Sequence, residues 1–141
     1  MTINEKQDEI ISEFEFIEDW FDRYQLIIDK SLESKGIDPK FKTNENLIEG
    51  CQSKVWITAE EKDGKIYYQG ESNTDIVGGI LAMLIDILSG HTPEEILHPD
   101  LYFIDKIGLK EHLSPTRSNG MLSMIKQMKL FALAFSAKKS E

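Results

Sequence analysis

The 141-residue sequence contains a single cysteine, Cys51. An internal disulfide is therefore excluded, as are cysteine-rich zinc sites and any iron–sulfur cluster held only by the chain's own thiolates. Basic residues are also scarce. Lys and Arg number 16 against 25 Asp and Glu, which gives a net charge of −9. Nucleic acid needs a basic face and is not an expected partner. The three histidines, His91, His98 and His112, are scattered and each flanks a turn or helix end. Structural or solvated roles suit them better than metal ligation, so no metal site is expected. Long apolar runs are missing too. The longest, Ile76 to Leu88, is broken by Gly78, Gly79 and Asp86 and is too short to cross a bilayer, so no membrane association is expected. Met1-Thr2-Ile3-Asn4-Glu5 leads into acidic sequence and lacks a basic-then-apolar signal. A reducing cytoplasm is the expected compartment, where a lone thiol stays reduced.

What is present is ordinary for a soluble globular chain: 40% hydrophobic and 29% charged residues. The length suits one domain, residues 1–141, with a core that needs neither disulfide nor metal. The charge is unevenly spread. Residues 1–50 carry thirteen acids and six bases, whereas residues 106–141 carry two acids and seven bases. Solvated helix faces explain this simply; steering of an oppositely charged protein partner is the sharper reading.

Residues 4–15 read as an acidic helix with Asn4 as N-cap. Ile17, Trp20, Phe21, Tyr24, Ile27 and Ile28 follow at helical spacing, and this second helix is expected to end near Gly36. Residues 37–46 read as a loop. Val55, Ile57 and Ala59 alternate with polar neighbours as in a strand, and Asp63-Gly64 marks a two-residue hairpin turn. The return strand, Ile66 to Glu71, places Ala59 opposite Tyr68 and Ile57 opposite Gly70. Leu47-Ile48 is expected to add a short third strand. Ile76 to Leu88, capped by Ser72, Asn73 or Thr74, is apolar nearly all round and reads as the central buried helix, with Gly78-Gly79 approaching the sheet. Thr92-Pro93-Glu94-Glu95 starts a short helix, and another is expected from Asp100 to Ile107. Ser114 to Gly120 reads as a polar loop leading into a last helix with Met121, Met124, Ile125, Met128, Phe131, Ala132 and Phe135 on its core face. The fold class is α+β: a small three-stranded antiparallel sheet with helices on one face.

Cys51 is the only obvious nucleophile. It follows Gly50, which permits backbone angles other residues avoid, and precedes polar Gln52, Ser53 and Lys54. A thiol on such a turn, running straight into Val55-Trp56-Ile57, is placed to meet a partner. An ordinary thiol, with a pKa of about 8.5, needs no extreme activation for sulfur exchange. Lys54 would favour its thiolate and Glu49 would oppose it. Without a resolving cysteine or a histidine close in sequence, a redox sensor or Cys-His protease has little support.

Ile48-Glu49-Gly50-Cys51-Gln52-Ser53-Lys54-Val55-Trp56 closely resembles the cysteine loop of the SufE family. Phe21-Asp22-Arg23-Tyr24, Ser72 to Ile80, and Ser114-Pro115-Thr116-Arg117-Ser118-Asn119-Gly120-Met121 resemble further family segments, in the family's order. The resemblance implies a SufE/IscU-like fold and a sulfur-transfer accessory protein rather than a stand-alone enzyme. Cys51 would accept persulfide sulfur from a SufS-like cysteine desulfurase, stimulate that enzyme, and pass the sulfur to a SufBCD-like scaffold. The pyridoxal phosphate belongs to the desulfurase, so no cofactor is expected here. Gly50, Gln52 and Ser53 are implied to support the loop, Arg117 to hold it, and Asp75 to lie near it and touch the partner. Ile48, Val55 and nearby helix residues are expected to form an apolar pocket around the idle thiol. A homodimer is left open. So are two other readings: a paralogue serving another desulfurase and sulfur pathway, and a non-covalent adaptor that stimulates by binding alone. A cluster scaffold is disfavoured because one cysteine supplies too few ligands.

Overall fold

The structure is a computed structural model that describes residues 1–139. Two acidic helices open the chain. Helix α1 spans Ile3–Phe14, and its cap is Thr2, two residues earlier than the expected Asn4. Thr2 Oγ1 accepts from Glu5 N at 3.0 Å while Glu5 Oε1 accepts from Thr2 N at 2.9 Å, a reciprocal capping box. Asn4 instead accepts from Gln7 Nε2 inside the helix. Helix α2, Trp20–Glu33, is capped by Asp19, whose side chain accepts from Phe21 N at 2.8 Å. Its stripe is narrower than the spacing predicts. Ile27 is fully buried and Trp20 and Tyr24 lean on the core, but Phe21 is 81% exposed. The helix stops at Glu33, and Gly36, at φ +69, turns the chain afterwards. Residues 37–46, expected as plain loop, contain two single 3₁₀ turns.

The hairpin follows its sequence pattern. β1 (Val55–Lys62) and β2 (Lys65–Ser72) pair antiparallel, with Ala59 opposite Tyr68 and Ile57 opposite Gly70. Asp63 and Gly64 both have positive φ, +55 and +79, as a two-residue turn matched to strand twist requires. The expected third strand is not formed among the described residues; the sheet has two strands. Leu47 makes one isolated bridge to Trp56, and Ile48 N donates to Val55 O at 2.9 Å. A 3₁₀ turn ending at Asn46 and the Gly50 turn leave too little extended chain between them for a longer ladder.

Helix α3 (Asp75–Leu88) is the centre of the molecule and packs against α2, β2, α1 and the last helix, α7 (Pro115–Lys139). Ile80, Leu81, Leu84, Ile87 and Leu88 are all at most 1% exposed. Gly78 and Gly79 serve the α2–α3 crossing rather than the sheet. A Cβ on Gly79 would collide with the Ile27 carbonyl of α2, and one on Gly78 with Ser31 Oγ. Helix α4 (Pro93–Leu97) starts with the capping box of Thr92 and Glu95. Helix α5 is short, Phe103–Lys106, and Gly108 at φ +89 separates it from an unanticipated turn of helix, α6 (Leu109–His112).

Because α7 starts at Pro115, most of the segment read as a polar loop is its first two turns. Pro115 occupies the first helical position, where its missing N–H costs nothing, and Ser114 Oγ accepts from Arg117 N at 3.3 Å. Met121, Met124, Met128 and Ala132 are buried, and Ile125, Phe131 and Phe135 pack at the margin. Tyr68 ties the sheet to this helix by donating to Met128 O at 2.7 Å. Among the described residues no helix is long and apolar enough to cross a membrane.

Candidate functional site

Cys51 sits on the loop between Ile48 and β1. Its flanks are pinned: Ile48 N to Val55 O on one side, and a reciprocal pair on the other, Lys54 N to Asn73 Oδ1 at 3.0 Å and Asn73 N to Lys54 O at 3.1 Å. Ser53 Oγ and Thr74 Oγ1, 3.0 Å apart, add a third tie to the start of α3. Gly50, at φ +89, makes the turn. Its carbonyl accepts weakly from Ser123 Oγ of α7 at 3.5 Å, and a Cβ here would strike that same hydroxyl.

The thiol lies half-buried against α7, with Sγ 3.4 Å from the Gly120 carbonyl, a weak S–H donation. A Cβ on Gly120 would sit 3.6 Å from Sγ, in ordinary van der Waals contact, so the approach does not depend on the glycine. Beside the sulfur is a pocket of about 310 Å³. The Cys51 loop supplies Cys51, Gln52 and Ser53; the approach to α3 supplies Asn73, Thr74 and Val77; the first turns of α7 supply Thr116, Arg117 and Gly120. The expected apolar pocket is thus corrected. Val55 is buried in the core, Ile48 does not line the cavity, and Val77 is its one aliphatic side chain.

Burial pushes the Cys51 thiol above its ordinary pKa, and no charged neighbour counteracts it. Neither Lys54 nor Glu49, both exposed, contributes to the shift. Arg117 is exposed on the pocket rim, where its Nη1 donates to Tyr24 Oη of α2 at 3.3 Å. The arginine is thus tied to α2 and not to the cysteine loop. Gln52 is exposed, and Ser53 half-buried. Asp75 is exposed in the first turn of α3, one residue beyond Thr74, and does not line the pocket. The structure therefore brings Cys51, Gln52, Ser53 and Arg117 around one cavity and leaves Gly50 and Asp75 at its borders.

Three contributors were not singled out from sequence: Tyr24, Thr116 and Gly120. None of them carries a local signal, since Thr116 and Gly120 read as part of a polar loop and Tyr24 as part of a helix stripe. A larger hollow, about 840 Å³ between α2, α3 and β2, shares no residue with the Cys51 pocket. It contains no thiol, so the smaller cavity is the candidate site. Among the described residues no three His, Cys, Asp or Glu side chains gather as a metal centre would need.

Residues 8–132 match the family model SufE, the Fe-S metabolism associated domain. The chain is 39% identical over 127 residues to an uncharacterized SufE-like protein of Rhizobium meliloti (strain 1021), covering 86% of this chain and 91% of that one. It is 44% identical over 90 residues to an uncharacterized SufE-like protein of Synechocystis, over 64% of this chain and 57% of the relative. SufE-like protein 1, chloroplastic/mitochondrial, of Arabidopsis thaliana is 34% identical over 137 residues, 96% of this chain but only 37% of that longer protein. The solution structure of a hypothetical protein from Thermus thermophilus shares the fold, with a TM-score of 0.74 at 18% identity, over 92% of this chain and 94% of that one. The chain belongs to the SufE family.

Proposed function

We propose that this protein is a sulfur acceptor and activator of a cysteine desulfurase in iron–sulfur cluster assembly. We take residues 1–141 to act as one sulfur-acceptor domain in the cytoplasm. The observation that carries the reading is the position of the chain's one thiol. It sits on a glycine turn with pinned flanks, half-buried and held at the sulfur itself only by a weak contact to Gly120 O. A sulfur carrier needs those properties together: shelter when idle, and release at small cost when a partner docks.

The transfer is a thiol–persulfide exchange. Cys51 gives up its proton, and its thiolate attacks the outer sulfur of the desulfurase cysteine persulfide. The partner's S–S bond breaks, its thiolate leaves, and a new S–S bond stands on Cys51 with no net oxidation. Burial keeps the idle thiol protonated and slow. Arg117, the cation on the pocket rim, is assigned to favour the anionic forms of Cys51 once the loop moves. Gly50, Gln52 and Ser53 support the loop, and Asp75, exposed beside it, is assigned to partner contact. The sulfur then passes to a SufBCD-like scaffold.

Intact mass after mixing with a SufS-like desulfurase and free cysteine tests the reading. The expected result is a gain of one or more sulfur atoms, reversed by reductant and absent in Cys51→Ser. Stimulation of the desulfurase that survives in Cys51→Ser, without mass gain in the parent, would mean an adaptor instead.

A further inference from the structure

Helix α7 differs in charge from the rest of the chain taken together. It carries five of the chain's 16 basic residues and none of its 25 acids. The rest of the chain, with 11 bases against 25 acids, is left at −14. Lys126 and Lys129 form no ion pair among the described residues. The same helix exposes leucines that a solvated face does not need: Leu122 at 58%, Leu130 at 46% and Leu133 at 54%. At 100° per residue, Leu122, Lys126, Lys129, Leu130 and Leu133 fall within one sector, opposite the buried Met124–Met128 side. On the same count Gly120, against the Cys51 sulfur, and Arg117, on the pocket rim, lie on the other side of the helix, and Ser123, between the two sides, donates to Gly50 O at 3.5 Å.

We infer that this outer face of α7 is the docking surface for the desulfurase, through a patch on that enzyme that is acidic around an apolar centre. The inference rests on the sulfur-acceptor reading above and deepens it. Three leucines supply contact area that is desolvated on docking, and the flanking lysines select carboxylates. The remainder of the chain carries −14. An acidic partner is favoured at α7 over the net acidic remainder of the chain, and Ser123, at the edge of this face, brings the Gly50-Cys51 turn to its border. Exposed leucines on an uncharged helix would not discriminate in this way.

The test uses the full chain with a purified SufS-like desulfurase. Binding is measured by calorimetry at several salt concentrations, and sulfur uptake by intact mass. The variants are Lys126→Glu/Lys129→Glu, Leu122→Ala/Leu130→Ala, and Leu32→Glu as an exposed leucine outside this face. The lysine reversal is expected to weaken Kd on the order of tenfold or more and to flatten its salt dependence. The leucine pair is expected to weaken Kd with the salt dependence kept. Leu32→Glu is expected to change neither. Alkylation of Cys51 in the isolated variants should match the parent, which excludes damage to the site. If the parent takes sulfur and both α7 variants bind as it does, this surface is wrong and the acceptor reading stands. If the parent neither binds nor takes sulfur, the acceptor reading falls and the surface with it.

Discussion

Burial is the influence that moves the Cys51 thiol, and it moves it upward. The folded site therefore holds the proton to higher pH than an open cysteine does. Alkylation by iodoacetamide should show a midpoint above that of a small-peptide thiol, and at neutral pH it should be slower than the peptide. Equal midpoints would mean that the thiol is as solvated as a free one. Gly50 controls the other half of that shelter. Its φ of +89 is costly for any residue with a Cβ, by about 1–2 kcal/mol, and the new carbon would also press on Ser123. Gly50→Ala should shift the loop off α7, so that the melting temperature falls while alkylation becomes faster. Tyr24 acts at one remove, by holding Arg117 on the rim through a hydrogen bond at an exposed site. Tyr24→Phe should lower the sulfur-uptake rate by about two- to five-fold, the equivalent of about 0.5–1 kcal/mol. The same change in an Arg117→Ala background should do nothing further, which is the signature of a positioning residue. An undiminished effect in that background would place Tyr24 in some other role.

Among the elements, the two adjacent glycines of α3 make a controlled comparison. Gly79 faces the Ile27 backbone, which cannot move without separating the helices, whereas Gly78 faces a serine hydroxyl that can rotate away. Gly79→Ala should cost about 3 kcal/mol in urea denaturation, as overpacking against backbone does. Gly78→Ala should be close to neutral, because a helix-propensity gain of about 0.5–1 kcal/mol offsets the rearranged serine. Similar losses at both would mean that the α2–α3 crossing is more yielding than its geometry implies. The sequence announced these glycines but not their partner, since a helix pattern does not say which neighbour comes close. That difference recurs through the fold. Features specified within a few residues were legible: the Asp63-Gly64 turn, the Ile57–Gly70 register, the Thr92 cap and the Met121–Met124–Met128 face. Features set by competition were not. Thr2 outcompeted Asn4 because it had Glu5 three residues on. Pro115 read as a loop residue although it opens a helix. Leu47-Ile48 looked like a strand, but turns on both sides reduced it to one bridge. In the site, the Gly50-Cys51 turn was visible, whereas the Tyr24–Arg117 contact joins residues with no local pattern in common.

For the molecule as a whole, the −9 charge decides how stability follows pH, and a few carboxylates decide where it breaks. Glu71 is held below the ordinary glutamate value of 4.5 first by Lys42, whose Nζ is 2.7 Å away, and then by the Ile37 N–H. Glu95 is lowered chiefly by its hydrogen bonds to Thr92 at the α4 cap. Each of these groups binds its proton less readily folded than unfolded. Their stabilisation is therefore complete above 4.5 and is lost as pH falls through the folded values. Between neutrality and the isoelectric point near 4.8, protonation of other carboxylates relieves repulsion, so the melting temperature should hold or rise slightly. Below that it should drop steeply, as charge of the opposite sign builds up and the anchored glutamates are protonated. Glu71 separates the two effects, because its carboxylate joins the 37–42 segment to β2. Glu71→Gln should melt below the parent at neutral pH, and the gap should close as pH falls below 4.5, where Glu71 takes up its proton first in the unfolded chain and then, at lower pH, in the folded one. A gap that stayed constant to strong acid would mean that the segment is held by shape and packing and that the Lys42–Glu71 charge pair contributes nothing to it.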